Sequence, residues 1–173
     1  MGEQLIKKYN IKLSDDKTKL KVDGKIGKSS KDTEWLKAHK QEVIDILLER
    51  EAKEEAAREA YRKKLEAIEG LKELQTCISD WSDYNNAMSR FIDRDCTGAA
   101  PVKPAKTVDE LKEQYPRAAA YIKADNWSYS THFYKAMLGE RSKKKILDGE
   151  NYKTVISDMK AAWKEYTDEH AFD

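Results

Sequence analysis

Residues 10–30, NIKLSDDKTKLKVDGKIGKSS, are the least helical stretch of a helix-rich chain, and they constrain its fold the most. In IKLS, Ile11 and Leu13 alternate with Lys12 and Ser14. In KLKV, Leu20 and Val22 alternate with Lys19 and Lys21. A period of two is the pattern of a half-buried strand, here with Leu20 and Val22 inward. The polar DDKT between the runs is a turn, so the two make a hairpin. A lone hairpin is marginal in water and must be covered. The cover is close in sequence: Leu5 and Ile6 in a short amphipathic helix over 3–9, then Trp35, Leu36, Val43, Ile44, Leu47 and Leu48. DGKIGKSS reads as a loop, and Ser30 or Asp32 is placed to cap a helix through TEWLKAH. The expected module is helix–strand–strand–helix–helix over residues 1–50.

That stretch also carries a resemblance. The element order and Leu36, His39, Lys40, Glu42, Val43, Ile44 and Leu47, in the pattern L-x-x-H-K-x-E-[I/L]-[I/L]-x-x-L, resemble the TubC-type N-terminal docking domains of nonribosomal peptide synthetase subunits. Asn10 stands where that family usually has Gly, and Asn tolerates positive φ nearly as well. The resemblance implies a module that binds a short segment of a partner chain along the edge and face of the hairpin, by β-augmentation. Carried onto this chain, the implied partner-binding residues are Lys19, Lys21, Val22, Lys25 and Lys28. Nothing after residue 50 resembles a condensation, adenylation or carrier domain, so the fold and the binding mode are what transfer.

From Gln41 to about Glu69 the pattern predicts one long helix. Between Leu48 and Tyr61 its only apolar residues are alanines, and Glu49–Lys53, Glu54–Arg58 and Glu59–Lys63 are favourable i,i+4 pairs. Such a stretch is a solvated connecting helix or the thin seam of a coiled-coil dimer, and Gly70 is placed to end it. LKELQTCISDWSDYNNAMSRFIDRD is a second helix, with Leu71, Leu74, Ile78, Trp81, Tyr84 or Asn85, Met88 and Ile92 at helical spacing. CTGAAPVKPAKT holds two of the three prolines and is expected as a linker and domain boundary. Thr107 and Glu110 form a capping box for the next helix, and Pro116 breaks or restarts it. One or two helices then run to Gly149. The last starts near Asn151 with a stripe of Val155, Met159, Ala162, Trp163, Tyr166 and His170. In this third, YPRAAAYIKADNWS and ILDGENYKTVISDMKAAWKEY resemble uncharacterised helical proteins of bacterial phages and conjugative elements.

Chemistry is sparse. The three histidines, His39, His132 and His170, stand in no HExxH motif and beside no matching cysteine. His39 reads as structural and His132 as partly buried among aromatics. There is no P-loop, GxGxxG, GxSxG or DxDxDG. The acid pairs Asp15–Asp16 and Glu54–Glu55 fall in a turn and on a solvated helix, where water is not excluded. No catalytic residue, cofactor or metal site is therefore expected, and an enzyme is not expected. Cys77 and Cys96 fit no zinc or redox spacing and read as reduced thiols. Net charge is +1, which gives no global bias toward nucleic acid or membrane. Residues 1–40 are locally basic, with eleven lysines against six acids. A second basic group, Arg141, Lys143, Lys144 and Lys145, lies near a helix end, where lysine also offsets the helix dipole. It is the candidate nucleic-acid contact, with Trp127, Tyr129, Phe133 and Tyr134 just upstream as a stacking platform, a core element or a protein interface.

No apolar run approaches membrane-spanning length. The start MGEQLIKKYN has no apolar h-region and lacks the Ser or Thr of a myristoylation signal at position 6, so a cytoplasmic protein is expected. The sequence thus predicts a mostly α protein with a small N-terminal β-hairpin: a docking-like module at 1–50, connecting helices at 51–95 and a C-terminal helical domain at 105–173. The expected function is a non-enzymatic protein-binding factor of a phage or mobile element. It would dock onto or inhibit a host protein machine such as a CRISPR effector nuclease, as anti-CRISPR proteins do. The alternative is a nucleic-acid-binding accessory protein using the lysine-rich patches. A homodimer through 41–69 or the C-terminal aromatics is compatible with both.

Overall fold

The computed structural model describes residues 1–22 and 31–170. Among them the order is α1 (Gly2–Lys8), β1 (Ile11–Leu13), β2 (Leu20–Val22), α2 (Lys31–Ala38), α3 (Lys40–Glu66), α4 (Leu71–Asp93), α5 (Val108–Gln114), α6 (Pro116–Ser128), α7 (Phe133–Leu147) and α8 (Tyr152–Glu169). This is the expected mostly helical fold with one N-terminal hairpin. The chain divides into two compact units, Met1–Tyr61 and Arg62–Asp173, with the boundary inside α3.

In the first unit β1 and β2 pair antiparallel, with Ile11 opposite Val22 and Leu13 opposite Leu20. Leu5, Ile6, Ile11, Leu36 and Val43 form the core, flanked by Tyr9, Leu20, Trp35, Ile46 and Leu47. Asn10 adopts φ 45, the left-handed region its short amide tolerates. Val22 departs from the simple alternation. It is 38% exposed, because a three-residue strand at the margin of so small a core runs past its cover. Asp32 also departs. Its carboxylate accepts from Lys8 Nζ at 2.8 Å and Tyr9 Oη at 2.6 Å, so it ties α2 to α1 rather than capping its own helix. Ser30 lies outside the described residues.

The turn between the strands is organised by Asp16. Its carboxylate accepts from the Ser14 hydroxyl and from the hydroxyl and backbone N–H of Thr18. Those bonds, Ser14 first, lower its pKa to about 2. A carboxyl depressed in the folded state stabilises the turn above the ordinary carboxylate range, and that contribution disappears as pH falls through about 2. An NMR titration of the Asp16 side chain should therefore give a midpoint near 2. A midpoint near the ordinary value of about 3.9 would mean that the turn does not form as described.

The second unit has one core, in which Leu74, Leu111, Ala118, Ala124, Ile146 and Met159 are wholly or almost wholly buried. Gly70, at φ 71, ends the α3 region and starts α4. The Thr107–Glu110 capping box is formed in both directions, at 3.2 and 2.7 Å. Pro116 opens α6 as its first residue, where its missing N–H costs nothing. Arg117 Nη2 donates to the Ile146 carbonyl at 2.8 Å, which satisfies one of the last carbonyls of α7. Gly149, at φ 92, follows α7, and the Asn151 side chain caps α8 through the N–H groups of Lys153 and Thr154. The stretch expected as a linker, 96–107, lies inside this second unit. Trp81 Nε1 donates to the Lys106 carbonyl at 2.8 Å, and Lys106 Nζ meets Glu73 at 2.6 Å. Burial fades along α4 beyond Trp81, and Ile92, expected on the apolar stripe, is 59% exposed.

Candidate functional site

The hairpin surface forms because β2 pairs with β1 on one side only, which leaves its other edge without a strand among the described residues. An open edge presents a row of backbone donors and acceptors that can take an added strand. Lys19 and Lys21 are exposed beside Val22. Lys21 is already partnered by Asp15 at 3.2 Å, an exposed pair worth a few tenths of a kcal/mol and readily exchanged for another carboxylate. Lys25 and Lys28 lie outside the described residues. On the β1 side a groove of about 920 Å³ runs between α1, β1 and α3, with Ile6, Ile11, Leu13 and Leu47 among its lining residues and Arg50–Glu3 and Lys17–Glu51 pairs at its rim.

The Arg141–Lys145 cluster is not a uniform cationic patch. The Lys143 side chain is 13% exposed and bonds Asp125 at 3.1 Å and Glu140 at 2.9 Å. Burial alone would lower its pKa, but the bonds to Glu140 and Asp125 outweigh burial and raise it. Lys145 pairs with Glu150 at 3.6 Å. Arg141 and Lys144 are exposed. Two of the four cations are thus already engaged, and Lys144 and Lys145 sit in the last turn of α7, where the dipole favours them.

The aromatics behave differently. The C-terminal ends of α6 and α8 and the N-terminal end of α7 bring together rings that are far apart in sequence. Trp163 lies edge-on to Trp127 at 6.2 Å and stacks on Tyr166 at 5.7 Å. Tyr166 stacks on Tyr134 at 4.5 Å and on His170 at 4.2 Å. Lys135 Nζ lies 4.9 Å from the Trp127 ring centre and 5.4 Å from that of Trp163, within cation–π range. Beside this braced cluster Tyr129 is 79% and Phe133 83% exposed. His132 was expected to be partly buried. It is exposed at the N-cap of α7, edge-on to Trp163 at 4.9 Å, because the helix begins one residue after it. Trp163, Tyr166 and His170 read in sequence as an apolar stripe. Their spacing of three and four residues is the signal that one helix face continues past the core as a ring ladder.

The remaining candidate chemistry is structural. His39 stacks on Trp35 at 4.2 Å with its Nδ1 2.9 Å from the Trp35 carbonyl oxygen. Cys77 and Cys96 are free thiols, and burial pushes the Cys77 pKa up, away from the thiolate form. A cleft of about 1570 Å³ lies along α4 and the 101–106 segment. Among the carboxylates that line it, Glu73 is held low by hydrogen bonds from Lys106 and Tyr115, which makes it a strut rather than a proton shuttle. Among the described residues no group of three or more His, Cys, Asp or Glu side chains is placed to hold a metal ion, and no helix is long and apolar enough to cross a membrane. No family model, no curated protein and no solved structure matches this chain.

Proposed function

We propose that this chain is a non-catalytic protein-binding factor whose principal contact surface is the aromatic end of α6, α7 and α8. The observation that carries the reading is the near-complete exposure of Tyr129 and Phe133 beside a cluster of stacked rings. Two large rings left in water lose burial energy that a partner surface would restore. Tyrosine and tryptophan also dominate binding hot spots, since a ring with few torsions loses little entropy when it docks. The open β2 edge supports a second contact of the β-augmentation kind, consistent with the docking-domain resemblance of residues 3–50. The resemblance of the C-terminal third to phage and conjugative-element proteins directs the search to bacterial host assemblies, a CRISPR effector nuclease among them.

The test compares the full-length chain with its Tyr129→Ser/Phe133→Ser variant as bait in nuclease-treated bacterial lysate, with captured proteins identified by mass spectrometry. Both rings are exposed, so the variant should unfold at the wild-type midpoint to within about 0.5 kcal/mol. A partner held through both rings should be lost from the variant, with about 2 kcal/mol per ring, roughly thirtyfold each in Kd. An unchanged set of captured proteins would overturn the reading.

A further inference from the structure

A second groove, of about 760 Å³, lies between α6 and α8 and reaches Lys112 on α5. Four lysines line it, Lys112, Lys123, Lys153 and Lys160, and no carboxylate does. In a chain with 33 basic and 32 acidic residues, such local separation of sign is unusual and needs a reason. Lys112 is paired with Asp109 at 2.9 Å. Lys123, Lys153 and Lys160 have no ion-pair partner among the described residues. The arrangement follows from helix geometry. Lys123 with Ala119 and Asn126 on α6, and Lys153 with Ile156 and Lys160 on α8, recur every three or four residues and so share the face that each helix turns to the groove.

Lys123 is half-buried, and burial, followed by its contact with the Lys160 ammonium, lowers its pKa. Two ammonium groups facing each other with no carboxylate between them repel, and an arriving anion removes that repulsion. Asn126, Ser157 and Tyr152 add neutral donors among the lysines, and Trp127 closes one end of the groove with an aromatic ring. A cationic groove ending in an aromatic ring is the arrangement that holds the backbone of a single strand while a base stacks at its end.

We propose that the α6–α8 groove binds the phosphodiester backbone of a single-stranded nucleic acid through Lys123, Lys153 and Lys160, with Trp127 as a stacking surface for a base. The free lysines of α8 span seven residues, about 10 Å of helix, so the contact is short. A duplex is a broad, convex rod and cannot follow the groove down to the half-buried Lys123. It would meet the rim and leave Lys123 unused. The site is separate from the Arg141–Lys145 group and does not use Tyr129 or Phe133.

The experiment is fluorescence anisotropy of the full-length chain with labelled oligothymidine and oligouridine of about twelve nucleotides, over a range of salt. The variants are Lys123→Gln/Lys160→Gln, Lys153→Gln alone, and Lys144→Gln/Lys145→Gln as a control. Each engaged phosphate contributes a slope of about −0.7 in log K against log salt for a single strand. The Lys123/Lys160 pair should weaken binding by about tenfold or more and make the slope shallower by about 1.4. Lys153→Gln sits on the exposed rim and keeps the fold, and it should make the slope shallower by about 0.7. The control should bind as wild type. Absence of salt-dependent strand binding, equal loss in the control, stronger binding of the matching duplex, or binding of ATP and polyphosphate but not of the oligonucleotides would each overturn the proposal.

Discussion

Replacing Gly139 by alanine should destabilise residues 62–173, and replacing it by valine should leave them without a cooperative fold. The expectation runs against local propensity. An exposed glycine within a helix costs about 1 kcal/mol relative to alanine, so on intrinsic grounds Gly139→Ala in α7 would stabilise. The surroundings reverse the sign. A Cβ on Gly139 would lie 2.4 Å from Ser128 N, 2.7 Å from the Ala124 carbonyl oxygen and 2.7 Å from Trp127 C. All three are backbone atoms of α6, so no side chain can turn aside. The two helices must separate, and that loosens the packing of Ala124, Leu138 and Ile146 that their approach creates. Overpacking of this kind costs about 1–3 kcal/mol for one methyl. Valine adds two further carbons at the same crossing, and the loss then becomes comparable with the roughly 5–15 kcal/mol that holds a domain. Urea unfolding followed by near-ultraviolet circular dichroism measures it. A more stable Gly139→Ala protein would mean that α6 and α7 cross at a greater distance.

Gly139 also marks the limit of what the sequence reveals. Elements with a strong period were legible: both strands, the alanine-rich helix, the Thr107 capping box, the restart at Pro116 and the close of α7 at Gly149. Each is written in neighbouring residues, through alternation, spacing or a turn residue at a fixed offset. What was not legible depends on partners far along the chain. Asp32 bonds Lys8 and Tyr9 rather than capping its own helix. Lys143 looked like part of a basic run but is drawn inward by Asp125. Lys106, near the end of the linker-like 96–107, is tied to α4 by Trp81 and Glu73. The ring cluster was half visible. Trp127, Tyr129, Phe133 and Tyr134 stand together in sequence, whereas Trp163 and Tyr166 arrive from another helix. The lysines of the α6–α8 groove were not legible at all. Each stands singly in the sequence, Lys123 between Ile122 and Ala124 and Lys160 between Met159 and Ala161, and only the packing of the two helices gathers them.

Leu74→Ala should lower the stability of the second unit by about 2–5 kcal/mol, whereas Ile92→Ala on the same helix should change it by less than about 0.5 kcal/mol. Both belong to the apolar stripe of α4, and a reading by spacing alone treats them alike. Leu74 has no exposed surface, and it lies in the core that also holds Leu111, Ala118 and Tyr121. Ile92 is 59% exposed. The start of α4 cannot readily sink to fill the space left by Leu74. A Cβ on Gly70 would lie 2.1 to 2.4 Å from the Tyr115 ring, so backbone and ring are already in close contact there. Tyr115 is in turn fixed by its hydroxyl bond to Glu73 at 2.9 Å. The cavity therefore persists, and the cost should lie toward the upper half of the range. Urea unfolding of the two variants, followed through tryptophan fluorescence, separates the cases. Equal and small losses would mean that α4 does not dock on α5 and α6. A large loss at Leu74 within a single transition would show that the first turns of α4 fold together with the helices that carry both the ring cluster and the lysine groove.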